Sequence, residues 1–223
     1  MPIIIDRLVR SRRKTVALIV RGDGALEVRA PQRMAERSIR EFVDAHTDWI
    51  IKTQAKARLS APPAPKQFIE GETFLLLGKS YPLTIVSRQR PALTFDGKTF
   101  RLAKSALPKA REAFVRWYKA QAALVISMRL PALAAKYNFT YQKIRISSAR
   151  TRWGSCSSKG TISFTWRLVM APPEVVDYVV VHELVHTKIK NHSKTFWARV
   201  GELMPAYKTH VRWLKQNGKT LTL

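Results

Sequence analysis

The sequence has little cysteine and little acidic charge, and each shortage limits what the protein can be. Cys156 is the single cysteine of the 223 residues, so no disulfide can form within the chain, as is usual in the reducing cytoplasm. No apolar run approaches the length that spans a bilayer. The first residues lack the basic segment and apolar stretch of a secretory signal. We therefore expect a cytoplasmic protein with no membrane partner.

The shortage of acidic residues leaves a large excess of positive charge. Fifteen Asp and Glu residues stand against 40 Lys and Arg residues, which gives a formal net charge of +25. The basic residues are spread along the whole chain and do not form a tail. Such a surface attracts polyanions, so an anionic substrate or a nucleic acid is a candidate partner. The oligomeric state is not readable from these patterns.

The amino-terminal part reads as mostly β-structure with one helix. Residues 2–9, 15–20 and 25–30 have the composition of strands, and Gly22 and Gly24 favour a hairpin turn between the last two. Apolar residues from Met34 to Ile51 recur at helical spacing. The proline-rich residues 60–65 predict a linker, because prolines at this density continue neither a helix nor a central strand.

The rest of the chain reads as strands followed by helices. Residues 67–103 predict β-structure, with turns at Leu77-Gly78-Lys79 and Asp96-Gly97, and a long helix is expected over about 108–128, ended or kinked by Pro131. The later strands are predicted near 142–148 and 161–168, with residues 152–156 in the turn between them, and the helices near 173–188, 194–204 and 207–217. The fold class is therefore α+β. We divide the chain into a mostly β region, 1–104, and a metal-binding catalytic region, 105–223, which are able to pack as one continuous domain.

The segment His182-Glu183-Leu184-Val185-His186 carries the strongest functional signal. It lies late in a predicted amphipathic helix that begins after Pro172-Pro173, where proline suits a first turn. Residues four apart share one face of a helix, so His182 and His186 can direct two imidazoles at one ion. Glu183 lies on the same flank and can take a proton from water without binding the metal itself.

His192 is the candidate third ligand. In a continuous helix it would point about 240° away from His186, so the chain must leave the helix between them. Asn191 tolerates the left-handed conformation that ends helices, and Ser193 is a good cap for a new helix. Three imidazoles and a water suit Zn²⁺, which lowers the pKa of its water and polarises the attacked carbonyl or phosphoryl oxygen.

Other polar and aromatic residues are weaker candidates. Oxyanion stabilisation is not assigned by the pattern, and Arg152, Tyr207 and His210 are candidates for it. Cys156 is interpreted as a small buried apolar residue in preference to a nucleophile or fourth ligand. Trp153, Trp166 and Trp197 are interpreted as core residues in preference to base-stacking platforms. The basic residues near the motif are Arg145, Arg150, Arg152, Lys159, Arg167, Lys188, Lys190 and Lys194. They are expected at the surface, where they would focus positive potential on an anionic substrate.

Several motifs together resemble the YgjP-like metallopeptidase family, small zincins related in outline to the SprT-like and WLM proteases. They are Arg152-Trp153-Gly154-Ser155-Cys156-Ser157, Phe164-Thr165-Trp166-Arg167-Leu168, Ala171-Pro172-Pro173, the His182–His186 motif, Asn191-His192-Ser193 and Phe196-Trp197. The resemblance is dense over about 145–217 and implies a minimal zincin core of a small sheet, a backing helix and a metal-bearing helix. It also implies that His182, His186 and His192 bind zinc and that Glu183 is the general base. Ile189 stands where metzincins of the same spacing have a glycine, so the turn must be made differently.

Three functions remain open at this point. The first is a zinc-dependent metallopeptidase, which should accept an extended peptide beside an edge strand. The second is a metal-dependent nucleoside triphosphate pyrophosphatase, for which the basic residues would bind phosphate. The third is a nucleic-acid-associated module with structural zinc, although a structural site needs no general base and usually closes with a fourth ligand.

Overall fold

The α+β fold class is confirmed by the structure, a computed structural model that describes residues 3–59 and 64–223. The chain forms two units, Met1–Ala64 and Pro65–Leu223. The second unit includes residues on both sides of the 104/105 boundary that the sequence analysis placed between the mostly β region and the catalytic region. The assignment of separate roles to residues 1–104 and 105–223 stays a prediction. No described helix is long and apolar enough to cross a membrane.

The first unit is a three-stranded sheet with two helices. Its strands are β1 (Arg7–Ser11), β2 (Ala17–Val20) and β3 (Leu26–Pro31), and its helices are α1 (Glu36–Asp44) and α2 (Thr47–Leu59). The predicted β2–β3 hairpin is confirmed, and β1 lies parallel to β3 on its other side. The inner side chains of β3, including Leu26 and Val28, pack with those of the helices, including Ile39, Val43 and Ile50.

Two features of this unit differ from the sequence prediction. The helix predicted from Met34 to Ile51 is two helices, and the hydroxyl of Thr47 donates to the carbonyl of Asp44 between them. Thr side chains compete with helical backbone bonding in this way, which an apolar spacing does not reveal. The first strand begins at Arg7 and not near residue 2. The predicted linker lies largely outside the described residues, which resume at Ala64.

The second unit begins with a four-stranded sheet in the order β4-β5-β7-β6. Its strands are β4 (Thr73–Leu76), β5 (Lys79–Val86), β6 (Leu93–Phe95) and β7 (Phe100–Ala103). The predicted turns at Gly78 and Gly97 are confirmed, and both glycines have positive φ angles, 79° and 93°. A methyl group on Gly78 would lie 3.0 Å from Pro172, so this turn also sits tightly against the start of the helix that carries the histidines.

The long predicted helix is α3 (Ala110–Lys136), preceded by a 3-10 helix at Lys104–Lys109. Pro131 lies inside this helix and does not end it, so the expectation of a helix end at Pro131 is wrong. A proline leaves the carbonyl four residues earlier unpaired, and here Ser127 and Pro131 are both exposed, which lets water satisfy that carbonyl. Leu130 and Ala134 are buried in the core on either side of the proline, so packing holds the last turns in place.

A second small sheet and three helices complete the unit. They are β8 (Lys143–Ser147), β9 (Gly154–Cys156), β10 (Thr161–Thr165), α4 (Pro173–Lys188), α5 (Lys194–Leu203) and α6 (Tyr207–Asn217), with 3-10 helices at Trp166–Met170 and Gly218–Thr220. The strand order is β8-β10-β9, with β8 parallel and β9 antiparallel to β10. The segment predicted as a turn therefore contains the edge strand β9.

Helix α4 is buried because it carries apolar side chains on most of its circumference. Ile162 and Phe164 of β10 pack with Val176, Val180 and Leu184 of the helix in one core. Pro173 occupies the first turn of α4, where its missing N–H costs no helical hydrogen bond. The helix that carries the candidate ligands is thus held between the small sheet and α3, which fixes the directions of its polar side chains.

Candidate metal centre

The three predicted histidines come together in the structure. His182 and His186 lie one turn apart on α4, and His192 lies in the connection between α4 and α5. The Nε2 atom of His192 is 3.1 Å from the Nε2 atoms of both His182 and His186. The three side chains form a cluster that could hold a metal ion.

The reversal that brings His192 round is not made as the sequence suggested. The helix ends at Lys188, and Ile189 has extended backbone angles, φ −119° and ψ 106°. Asn191 is not left-handed; among the described residues other than glycine, the positive φ angles belong to Phe68, Leu77 and Asn138. An extended backbone suits a β-branched isoleucine where metzincins have glycine. The predicted cap is confirmed, since Ser193 accepts a hydrogen bond from the N–H of Phe196 at 3.4 Å.

The second ring nitrogen of two histidines has a partner of its own. His186 Nδ1 lies 3.0 Å from the carbonyl oxygen of Ile189, which can only accept, so this nitrogen carries the proton. His182 Nδ1 lies 3.4 Å from the hydroxyl of Tyr178. These contacts leave the Nε2 lone pairs turned toward the cluster. Such outer partners orient histidine ligands and raise their basicity.

The donor set fits a tetrahedral zinc ion. Zinc with Zn–N bonds of about 2.05 Å places its nitrogen ligands about 3.3 Å apart, close to the two distances of 3.1 Å found here. Burial, and then the neighbouring His186 and His192, lower the pKa of His182 to about 3. Burial also lowers the pKa of His186. The two helical imidazoles are therefore neutral at neutral pH, the form in which histidine binds a metal.

Glu183 lies beside the histidines with a free carboxylate oxygen. The residue is 4% exposed, and its Oε2 atom has no hydrogen-bond partner among the described residues. Oε1 lies against the backbone of Gly154 in β9, so closely that a methyl group there would be 2.5 Å away. Burial raises the pKa of Glu183 to about 8, and the charge of Arg152 opposes this shift. A buried carboxylate oxygen without a partner is costly, and groups perturbed in this way are concentrated at functional sites.

The cluster opens into a cavity of about 530 Å³. Besides the histidines and Glu183, the cavity is lined by Arg152, Trp153, Gly154, Ser155, Cys156, Tyr178, Val179, Lys190, Val211 and Leu214. Glu183 is the single carboxylate in this lining, whereas Arg152 and Lys190 are cationic. His192 is exposed, so solvent and a ligand reach the cluster from its side.

The weaker candidates take different positions. Arg152 lines the cavity, but Tyr207 packs on Trp197 and His210 on Tyr178, outside the cavity lining. Tyr178, which contacts His182 and lines the cavity, is a residue of the candidate site that sequence reasoning missed. It precedes His182 by four residues, so helical spacing alone places it on the same face.

Cys156, the tryptophans and one arginine complete the comparison with the sequence predictions. Cys156 is half-buried and lines the cavity, but it is not part of the histidine cluster, and burial raises the pKa of its thiol. Trp166 is buried in the core, as predicted. Trp153 and Trp197 pack against the core but are only half-buried, and Trp153 also lines the cavity. Arg167 was expected at the surface but is buried, with its guanidinium 4.2 Å from the ring centre of Trp166 and hydrogen bonds to the carbonyls of Ser148 and Ala149. The arginine is therefore structural.

The fold and this cluster define a small α+β protein with a three-histidine site suited to a metal ion. The model of a family described as "YgjP-like, metallopeptidase domain" matches residues 14–217. The chain belongs to this YgjP-like family, as the resemblance of its motifs indicated, and the membership indicates a metal-dependent hydrolase of the peptidase type.

Two solved structures are similar to part of the chain. The crystal structure of the metallopeptidase zymogen of Pyrococcus abyssi abylysin matches with 22% identity and a TM-score of 0.38, over 44% of this chain and 99% of that chain. The metallopeptidase zymogen of Methanocaldococcus jannaschii jannalysin matches with 21% identity and a TM-score of 0.34, over 39% of this chain and 93% of that chain. No curated protein matches the chain.

Proposed function

We propose that the protein is a zinc-dependent peptidase, with His182, His186 and His192 as the metal ligands and Glu183 as the general base. The observation that carries this proposal is the convergence of three imidazole Nε2 atoms beside a buried carboxylate oxygen without a partner. Three imidazole nitrogens that leave one position open are the ligand set of a catalytic zinc site. When bound, the ion would polarise the carbonyl under attack and make water a nucleophile at neutral pH.

Glu183 would move the proton of the reaction. Its Oε2 would accept a proton as the water oxygen bonds to the peptide carbonyl carbon, and would then give that proton to the departing amine nitrogen as the C–N bond breaks. The nearby positive charge of Arg152, joined by that of a bound cation, favours the ionised carboxylate that the first step needs. Gly154 lies against the same carboxylate and leaves it little room to move.

The edge strand β9 supports a peptide as the substrate. The carbonyl of Trp153 and the N–H of Ser157 bond to β10. In an antiparallel pair these bonds alternate, so the backbone groups of Gly154 and Cys156 point to the free edge. Both residues also line the cavity. An extended peptide can add to this edge as a further strand and bring one of its carbonyls to the histidines.

A phosphorylated substrate is the second candidate, since Arg152 and Lys190 line the cavity. The donor set argues for the peptide. Magnesium, the usual metal of nucleoside triphosphate chemistry, prefers oxygen ligands in octahedral geometry, and Glu183 is the single carboxylate of the lining. A structural zinc module is disfavoured because three ligands leave the site open beside an unpartnered base.

The test compares Glu183→Gln with Glu174→Gln, an exposed glutamate in the first turn of the same helix. Zinc content, cleavage of an unstructured protein and pyrophosphate release from nucleoside triphosphates are measured for each. We expect both variants to hold one zinc ion, and Glu183→Gln alone to lose at least about 100-fold in protein cleavage. Full turnover by zinc-loaded Glu183→Gln would show that Glu183 is not the general base. If the wild-type protein holds no zinc and its activity is unchanged by His192→Ala, the metal site is wrongly assigned. Pyrophosphate release without protein cleavage would favour the second candidate.

A further inference from the structure

One face of the small sheet carries a row of polar side chains. Arg145 of β8 is in register with Ser163 of β10, which is in register with Ser155 of β9. Side chains alternate along a strand, so these three lie on one face, and Ile162 and Phe164 lie on the other, in the core beside α4. The polar row therefore lies on the face of the sheet that does not pack against α4, and Ser155, at the edge, also lines the metal cavity.

A cavity of about 270 Å³ lies on this polar face. It is lined by Arg145, Ile146, Ser147, Arg152, Trp153, Gly154, Ser155, Ser163 and Thr165. The lining holds two guanidinium groups and four hydroxyl side chains but no carboxylate. Neither Arg145 nor Arg152 forms an ion pair with any residue of the described ranges. The face thus offers hydrogen-bond donors and two guanidinium groups; Arg145 has no acidic partner among the described residues, whereas the charge of Arg152 also acts on Glu183.

The edge strand β9 joins this face to the metal centre. The side chain of Cys156 lies on the core side of the sheet and that of Ser155 on the polar side. Gly154 and Ser155 line both cavities, so the strand edge lies between the two. A peptide strand added to this edge would alternate in the same way. Its residue opposite Ser155 would direct a side chain onto the polar face, while its two neighbours would direct theirs toward the side of the metal centre.

We infer that the polar face beside β9 is a subsite for an acidic side chain of the peptide substrate, at the position that pairs with Ser155. The inference rests on the proposed peptidase function and names its substrate class. A carboxylate there would meet the guanidinium groups of Arg145 and Arg152 and the hydroxyls of Ser155 and Ser163. Arginine and hydroxyl donors are the groups that recognise carboxylates in proteins.

The dimensions of the face favour a carboxylate over a nucleic acid. Binding of nucleic acid relies on many phosphate contacts along a track or on aromatic rings that stack on bases. Trp153 is the single aromatic residue of the lining, and its ring packs against Gly218, where a methyl group would be 2.7 Å from Cζ2. A single small cavity with two arginines matches one carboxylate.

The test uses the zinc-loaded full chain and a series of extended fluorogenic peptides. Members of the series differ at one position that carries Glu, Gln or Lys, and this position is moved along the peptide. We expect the ratio of kcat/KM for the Glu peptide to that for the Gln peptide to be highest at one position. It should be about fivefold there, because ion pairs at exposed sites contribute modestly. Arg145→Gln should bring the Glu/Gln ratio close to one, and Arg145→Glu should favour Lys. The matched control is Lys159→Gln, an exposed lysine outside both cavities, which should keep the wild-type ratio.

A binding measurement separates this inference from the proposed function. Fluorescence anisotropy of the same peptides on Glu183→Gln reports the subsite without cleavage. Equal cleavage of the Glu, Gln and Lys peptides at every position would overturn the acidic subsite and leave the peptidase intact. Binding that favours Glu and depends on Arg145, without any cleavage by wild type, would support the subsite and overturn the peptidase. A short single-stranded RNA that binds more tightly than the acidic peptide, with an affinity that depends on Arg145, would overturn the subsite in favour of nucleic acid.

Discussion

Gly154 and Glu183 are in such close contact that the first has no room for a side chain. A methyl group on Gly154 would lie 2.5 Å from Oε1 and 2.6 Å from Cγ of Glu183. The carboxylate is buried and cannot move away into solvent. Gly154→Ala should therefore displace the general base and lower kcat by about 100-fold with zinc still bound, since displacements of about 1 Å at a reacting group have effects of this size. Steady-state kinetics together with zinc analysis checks this.

The control for this substitution is Gly22→Ala. Apart from its chain neighbours, no heavy atom of the described residues lies within 4 Å of the position that a methyl group would take on Gly22, and its φ angle is not positive. This variant should keep the wild-type kcat. A Gly154→Ala protein as active as the Gly22→Ala protein would show that the position of Glu183 is not set by β9.

The predictable part of the site follows from helix geometry. The spacing of His182 and His186 places them on one face, and the position of His192 requires a reversal before it. The manner of the reversal was not predictable, because Asn191 and Ile189 both permit a break and the tertiary packing decides between them. The chain leaves the helix at the extended Ile189, whose carbonyl oxygen also accepts a hydrogen bond from Nδ1 of His186.

The parts that sequence reasoning missed have short or weak patterns. The edge strand β9 has three residues, Gly154–Cys156, without an alternation of apolar and polar side chains. Its pairing with β10 is a tertiary contact that no local rule indicates. Pro131 shows the opposite case, where a strong local rule yields to the burial of Leu130 and Ala134. The fold class could be predicted because the long helices and the strand-rich segments have clear periods.

The hydroxyl of Tyr178 should increase metal affinity through His182. With Nε2 turned to the cluster, Nδ1 of His182 carries the proton and can donate it to the Tyr178 oxygen at 3.4 Å. Burial, and then the charge of Glu183, raise the pKa of Tyr178 to about 12, so the hydroxyl stays protonated. Tyr178→Phe should lower zinc affinity about tenfold, as measured by competition with a chelator.

Tyr141→Phe is the matched control, because the Tyr141 hydroxyl forms no hydrogen bond with any described residue and Tyr141 does not line the cavity. Its zinc affinity should equal that of wild type. Equal affinities for all three proteins would mean that the Tyr178 contact does not orient His182.

The cap of α5 should stabilise both the helix and the position of His192. Ser193 accepts a hydrogen bond from the N–H of Phe196, and it directly follows the candidate ligand. Ser193→Ala should lower the free energy of unfolding by about 1 kcal/mol, the usual contribution of such a cap, and should weaken zinc binding. Thermal denaturation with and without zinc measures both effects. Ser158→Ala, at an exposed position of the turn after β9, should change neither; a loss of the same size in that variant would show that the effect is not specific to the cap.

The first unit should lose stability in acid because of one buried carboxylate. Glu27 is 2% exposed and interacts with Arg29, Arg21 and Arg7, and hydrogen bonds from Arg29 and then Arg21 lower its pKa from 4.5 to about 2. The folded value is below the unfolded one, so the contribution to stability is fully present above about pH 4.5 and is lost as the pH falls toward 2. We expect amide protection in β2 and β3, corrected for intrinsic exchange rates, to be lower at pH 3 than at pH 6.

Glu27→Gln should show this loss already at pH 6, with a smaller further change at pH 3, because the amide cannot ionise and its ion pairs with the arginines are absent at both pH values. Glu36→Gln is the control. The side chain of Glu36 is 85% exposed and only 4.0 Å from Arg10, a distance at which an exposed pair contributes little. Its protection should follow that of wild type at both pH values. The assignment of the acid sensitivity to Glu27 would be wrong if Glu27→Gln and wild type lost protection equally between pH 6 and pH 3.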